Sequence, residues 1–238
     1  MLRAARALGA TGVAVPGLRL AAREDTATRA ALDSALAAEF VIFTSPPAVR
    51  FAMRLRMETA TSWHPSSRVF ALGAATAAAL RRAGVGDVVV PARADSESLL
   101  ALAQLENVRD RSIGLVTAPG GRGLLAPRLR AGGAQVVVAE VYERRPPRLT
   151  ARHRQALLTT GGHRAVCITS GEALANVLGA LASDARTQVL AAVAVVSSAR
   201  LRDVAAAAGF REIILAEATT PGALLAALVV HARGRGFR

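Results

Sequence analysis

Short, continuously apolar runs alternate along this chain with longer stretches in which apolar residues recur every three or four positions. The runs 40–43, 69–72, 88–90, 113–117, 136–142, 165–169, 193–196 and 213–215 are rich in valine and isoleucine. Such runs predict strands buried on both faces. An amphipathic stretch follows most of them and predicts a helix. Strand and helix in alternation predict an α/β fold with doubly wound, flavodoxin-like parallel sheets covered by helices on both sides.

The pattern also repeats. Ser45 and Ser170 lie 125 positions apart, as do Gly84 and Gly209, and Leu99-Leu100 and Leu224-Leu225. Three segment pairs at one offset predict two related halves. Gly9 similarly matches Gly133, but the second copy follows the strand and turn of 113–121 while the first has nothing upstream of Met1. The repeat therefore predicts that one strand-turn unit is missing before "GVAV" (12–15), and that the natural frame starts roughly 10–15 residues upstream. A chain lacking that central strand would leave open edges on "GVAV" and "VCIT" (166–169), and is expected to be unstable or poorly active.

Pro16, Pro146 and Pro147 interrupt helical continuity and suit linkers at about 16–24 and 140–150. Between them lies a five-strand lobe, 22–145. Residues 1–18 and 148–238 form an outer lobe of four strands into which the first is inserted. Two linkers joining two lobes predict a cleft between them.

Composition narrows the class. Apolar residues make up 52% of the 238 but aromatics only 3%, which fits many small-residue helices packed on β-branched strands. No apolar run is long enough to span a bilayer, and "MLRAARALGA" lacks the apolar core of a signal peptide. Cys167 is the single cysteine, which excludes a disulfide framework and suggests a reducing, cytoplasmic compartment. The formal charge of +13 fits polyanionic partners, or a solvated surface rich in arginine. Scattered arginines and few aromatics argue against nucleic acid as the partner.

In open parallel sheets, ligands bind beyond the carboxyl ends of the strands. The turns there are Thr44-Ser45, Gly73 to Thr76, Ser96, Gly120-Gly121-Arg122, Thr169-Ser170, Ser197-Ser198 and Thr219-Thr220. They offer hydroxyls and amides at helix N-termini, a neutral, donor-rich rim suited to anions; for any single serine or threonine a plain N-cap is the commoner use, and the anion reading rests on both lobes showing the same rim. His64, His153, His163 and His231 show no ligand spacing, so no metal is expected. Cys167 sits mid-strand as an inert thiol. Tyr142, the single tyrosine, ends strand 136–142, either as a weak acid in the cleft or packed on a linker.

The ordered segments "FTSPPAV", "ALGAATAAALRRAG", "SESLLALA", "GGRGLLAPRLRAGGAQV", "EVYERRPP", "ITSGEAL" and "VVSSARLRDVAAAAGF" resemble bacterial uroporphyrinogen-III synthases across nearly the whole chain. That resemblance implies two α/β lobes on a two-stranded linker. It implies conversion of hydroxymethylbilane, a linear tetrapyrrole with eight carboxylates, into uroporphyrinogen III by a cofactor-independent, metal-free lyase acting as a cytoplasmic monomer. It further implies Tyr142 as the group assisting hydroxyl departure and Thr76 as a substrate donor. Thr44, Ser45, Gly73, Ser96, Gly120, Gly121, Arg122, Thr169, Ser170, Ser197 and Ser198 are the remaining candidates for holding carboxylates. Two features depart from the family: the opening strand with its Arg-Pro turn is absent, and Ser197-Ser198 replaces the second glycine-threonine motif. The competing reading is a non-catalytic two-lobed binding protein for an acidic small molecule.

Overall fold

The computed structural model describes residues 1–59, 67–120, 123–159 and 162–234. The chain divides into two compact units, Leu20–Arg144 and Met1–Arg19 with Arg145–Arg238. It opens on α1 (Leu2–Ala7) and β1 (Arg19–Ala22).

The Leu20–Arg144 unit continues through α2 (Thr26–Leu36), β2 (Phe40–Phe43), α3 (Pro46–Thr59), β3 (Arg68–Ala71), α4 (Ala74–Arg82) and β4 (Val88–Val89). Then come α5 (Ser96–Leu100), α6 (Ala103–Glu106), β5 (Ser112–Thr117), α7 (Leu125–Ala131) and β6 (Gln135–Glu140). Its five strands are all parallel, in the order β4-β3-β2-β5-β6. Counted from β5 this is the flavodoxin-like order 2-1-3-4-5, entered in the middle. Alternate side chains go to opposite faces. Val41, Phe43, Val69 and Val116 meet α2, α3 and α4 on one side. Ile42, Phe70, Ile113 and Leu115 meet α5, α6 and α7 on the other. Continuous apolar runs are what such two-sided burial requires.

The expected strand 136–142 is in fact two. The backbone N–H of Val141 still donates to Thr117 O of the five-stranded sheet, while its carbonyl accepts from Arg23 N beside β1. One residue thus hands the chain from one ladder to another, and Arg23 Nη1 donates to Glu140 Oε2 at 2.6 Å across the crossover. Tyr142 consequently begins β7 (Tyr142–Arg145), the partner of β1 in a two-stranded sheet, and does not end β6.

The other unit runs through α8 (Ala151–Thr159), β8 (Ala165–Ile168), α9 (Gly171–Gly179), α10 (Ser183–Leu190), β9 (Val193–Val196), α11 (Ala199–Ala208), β10 (Ile213–Leu215) and α12 (Pro221–Gly234). Its described strands form one parallel sheet, β10-β9-β8. Ile168, Ala194 and Val196 pack on α9, α10 and α11; Val195 and Cys167 pack under α12 with Leu224. The expected fourth strand at 12–15 is not formed. Its repeat counterpart β6 joins the sheet through β5 and not through β2. No described strand of this unit takes β5's place, so 12–15 lacks the neighbour through which its counterpart joins a sheet.

The repeat reappears in the caps. Gly84 and Gly209 both take positive φ, +86° and +106°, and each is followed by an amide that reaches back five residues, Val85 N to Leu80 O and Phe210 N to Ala205 O. Gly9 and Gly133 close α1 and α7 the same way, with Ala10 N to Ala5 O and Ala134 N to Leu129 O. Only glycine adopts this left-handed cap without steric cost.

Candidate functional site

In the five-stranded sheet β2 leads into a helix on one face and β5 into a helix on the other. The order of connections therefore reverses between β2 and β5, and such a reversal opens a crevice at the strands' carboxyl ends. A cluster of hydroxyls occupies it. Thr44 Oγ1 donates to Thr117 Oγ1 at 2.9 Å, linking the ends of β2 and β5. Ser45 Oγ and Tyr142 Oη share a hydrogen bond of 3.1 Å, 97 residues apart in sequence. The ring of Tyr142 stacks on Phe51 of α3, and the residue is only 5% exposed.

Ser45 is also the cap of α3. Its Oγ accepts from Ala48 N at 3.2 Å, and its carbonyl accepts from Val49 N at 3.2 Å. Pro46 and Pro47 occupy the first two helical positions and have no N–H to offer. Positions 46 to 49 are therefore all accounted for, and the first turn of α3 has no free backbone donor beyond its cap.

The related turns differ. Ser170 Oγ caps α9 through Ala173 N, and Ser198 Oγ caps α11 through Leu201 N. Gly171 and Glu172 of α9, and Ala199 and Arg200 of α11, keep amides with no hydrogen-bond partner among the described residues. At α4 the cap is Gly73, and Ala74 and Ala75 are likewise free. Gly73 is extended, and a Cβ there would come within 2.7 Å of Ala94 Cβ, so close approach of the chain explains the glycine.

Several expected site residues sit otherwise than the sequence suggests. Ser96 does not cap its helix. Asp95 does, its carboxylate accepting from Ser98 N at 2.7 Å and pairing with Arg93 at 3.2 Å, while Ser96 is buried inside the first turn. The rim is thus not uniformly neutral: Glu97 follows in the first turn of α5, and Glu172 lies in the first turn of α9. Thr76 is 3% exposed within α4, and its hydroxyl makes no hydrogen bond among the described residues. Gly120 is exposed with φ +78°; Gly121, Arg122 and His64 lie outside the described residues. Thr169 is exposed and Ser197 half-buried at the ends of β8 and β9.

Sequence reasoning missed Thr117 and Phe51. Thr117 ends an apolar run as Thr44 does, so the same rule would have found it. Nothing in the spacing links Phe51 to Tyr142. A groove of about 420 Å³ between α5, α6 and α7, lined by Leu105, Val108 and Leu129, contains none of the expected site residues. Among the described residues no three His, Cys, Asp or Glu side chains gather as metal ligands would, and no helix is long and apolar enough to cross a membrane. Burial pushes the Cys167 thiol up from its usual range, which suits packing under α12 and not nucleophilic chemistry.

Hydroxyls at the switch point of a doubly wound α/β sheet, and unpaired helix amides at other strand ends, are groups with which such proteins can hold small-molecule anions. The family model described as "Uroporphyrinogen-III synthase HemD" matches residues 1–226. The uroporphyrinogen-III synthase of Salmonella typhimurium is 30% identical over 226 residues, 94% of this chain and 92% of that protein. The Escherichia coli K12 enzyme of the same name is 30% identical over 186 residues, 77% of this chain and 76% of its own. A solved mutant uroporphyrinogen III synthase of the extreme thermophile Thermus thermophilus superposes with a TM-score of 0.53 at 19% identity, over 98% of this chain and 93% of that one. The Helicobacter pylori uroporphyrinogen-III synthetase does so at 0.54 and 16%, over 90% of each chain. The chain belongs to the uroporphyrinogen-III synthase family.

Proposed function

We infer that this chain is a uroporphyrinogen-III synthase, cyclising hydroxymethylbilane with inversion of ring D and loss of water in tetrapyrrole biosynthesis. The family match across residues 1–226 carries this reading, and the hydroxyl cluster at the switch point supplies chemistry of the right strength. Departure of the hydroxymethyl hydroxyl from ring A is driven by the pyrrole nitrogen lone pair and needs only a weak acid. Tyr142 is our candidate. Its phenolic proton passes to the leaving oxygen, the C–O bond breaks to release water, and an azafulvenium cation forms opposite the phenolate. Attack by the substituted carbon of ring D gives the spiro intermediate. Fragmentation and rejoining then invert the ring, and the proton lost on rearomatisation restores the phenol. Burial of Tyr142 keeps bulk water from competing for the cation.

Most of the barrier is positional, because the alternative closure without inversion is the shorter path. On this reading the amides of α4, α9 and α11 and the hydroxyls of Thr44, Ser170 and Ser198 hold substrate carboxylates, and Arg200 adds positive charge beside one such end. The single cysteine among 238 residues supports a cytoplasmic setting. Incubation with hydroxymethylbilane and separation of the oxidised products tests the reading. The type III isomer is expected, whereas the type I isomer alone, as in spontaneous closure, would favour a binding protein.

A further inference from the structure

Because both prolines delete an amide, the first turn of α3 has no backbone N–H to give an anion, whereas the leading amides of α9 and α11 are unpaired among the described residues. What its N-terminus does offer is one hydroxyl proton, that of Ser45. The oxygen bearing it already accepts from Ala48 N, and its remaining neighbour is Tyr142 Oη at 3.1 Å. In the resting protein either oxygen can donate to the other. Once the phenol has given its proton to the leaving hydroxyl, the direction is forced, since a phenolate only accepts. Ser45 is the donor in place for it.

We propose that Ser45 is a positioning residue for the acid step: it orients the Tyr142 phenol and donates to the phenolate that forms, relaying the positive end of α3 to that oxygen through Ala48 N–H and Ser45 O–H. The inference rests on Tyr142 being the acid. No atom changes hands at Ser45. Its proton stays on Oγ while the hydrogen bond to Tyr142 shortens and becomes charge-assisted, an interaction stronger in the transition state than in the ground state. Pro46-Pro47 have a function in this scheme. They leave the first turn of α3 no free amide that could hold a substrate carboxylate beside the phenol, where it would oppose formation of the phenolate.

Glycine at an N-cap costs only a few tenths of a kcal/mol relative to serine, so Ser45→Gly removes the hydroxyl with little loss of helix. In the full chain this variant is expected to lower kcat about ten-fold or more, the scale of a lost hydrogen bond to a charged group, with KM little changed. Ser45→Thr, which keeps both cap and hydroxyl, is expected to recover most of kcat. In a Tyr142→Phe background, Ser45→Gly should cost nothing further. A second readout needs no substrate. Tyr142 is the single tyrosine, so the intensity ratio of its Raman ring doublet, which reports hydrogen bonding at the phenolic oxygen, should change in Ser45→Gly and return in Ser45→Thr. An unchanged doublet, equal kcat losses in the Tyr and Phe backgrounds, or full activity of Ser45→Gly beside a slowed Tyr142→Phe would each overturn the role of Ser45. Full activity of Tyr142→Phe would instead remove the phenol from the chemistry, and the Ser45 role with it.

Discussion

The ring of Phe51 lies almost parallel to that of Tyr142, with centres 5.3 Å apart and planes 17° from parallel. Phe51 belongs to α3, six residues beyond Ser45, so one helix supplies both the hydroxyl and the aromatic face that fix the phenol. An offset-stacked pair is worth about 0.5–1.5 kcal/mol beyond its burial. Phe51→Leu keeps an apolar side chain of similar reach but loses the flat contact. Thermal unfolding should show a loss of about 1–2 kcal/mol, and kcat should fall with little change in KM. A variant with lowered melting temperature and full kcat would show that Ser45 alone holds the ring.

Gly114 of β5 is fixed by a different constraint. A Cβ there would lie 2.0 Å from Ala35 O and 2.6 Å from Ala35 C, backbone atoms of α2. The helix rests directly on this strand, and a methyl group has nowhere to go. Gly114→Ala should destabilise by about 1–3 kcal/mol or more, as overpacking does, visible as a lowered denaturant midpoint. The same substitution at Gly86, which has open space around it, should be nearly silent.

The contrast between these glycines marks how far the sequence could be read. Gly84 and Gly209 were legible because each stands at the end of an amphipathic run, where a left-handed cap is the common solution, and because they repeat at one offset. The parallel α/β architecture was legible for the same reason, since continuous apolar runs have few other uses. Gly114 was not, for a glycine inside a strand carries no mark of the helix above it. Ser45 and Tyr142 were both singled out, yet their hydrogen bond was invisible. It depends on Val141 switching ladders, a tertiary event with no local pattern. Asp95 escaped because three hydroxyl turns in the repeat suggested a fourth, and the carboxylate one residue earlier makes the better cap.

Asp25 provides a pH handle on α2. Backbone and side-chain hydrogen bonds from Thr28, at 2.8 and 2.9 Å, hold its carboxyl below the usual value of 3.8. The folded protein therefore binds this proton less readily than the unfolded chain. The ionised cap contributes its stability above about pH 3.8 and loses it as pH falls through the lower, folded value. Asp25→Asn, an uncharged cap, lacks that dependence. The melting-temperature difference between the two proteins should shift in favour of the variant as pH drops below 4. A constant difference from pH 6 to pH 3 would mean that the carboxylate is not the cap in solution.

The sharpest test of the carboxylate-holding amides comes from making one half of the repeat resemble the other. Gly171 stands at the first helical position of α9, where α3 has Pro46. Proline is well tolerated there because its fixed φ suits the helix and the amide it lacks has no helical partner. The nearest atoms to a Cβ on Gly171 are side-chain ones, Val204 Cγ1 at 3.3 Å, Val204 Cγ2 at 3.7 Å and Leu201 Cδ2 at 3.9 Å, so the Val204 side chain has to give by a few tenths of an ångström. Gly171→Pro thus deletes one free N–H while leaving Ser170 as the cap and the helix intact. If that amide holds a substrate carboxylate, KM should rise by roughly three- to thirty-fold, the equivalent of about 0.5–2 kcal/mol for one hydrogen bond to a charged group. The rate of hydroxyl departure, which we assign to Tyr142 of the Leu20–Arg144 unit, should change far less. Unchanged KM with an unchanged melting temperature would mean that the leading amides of α9 are hydrated in the complex, and that the carboxylates are held elsewhere.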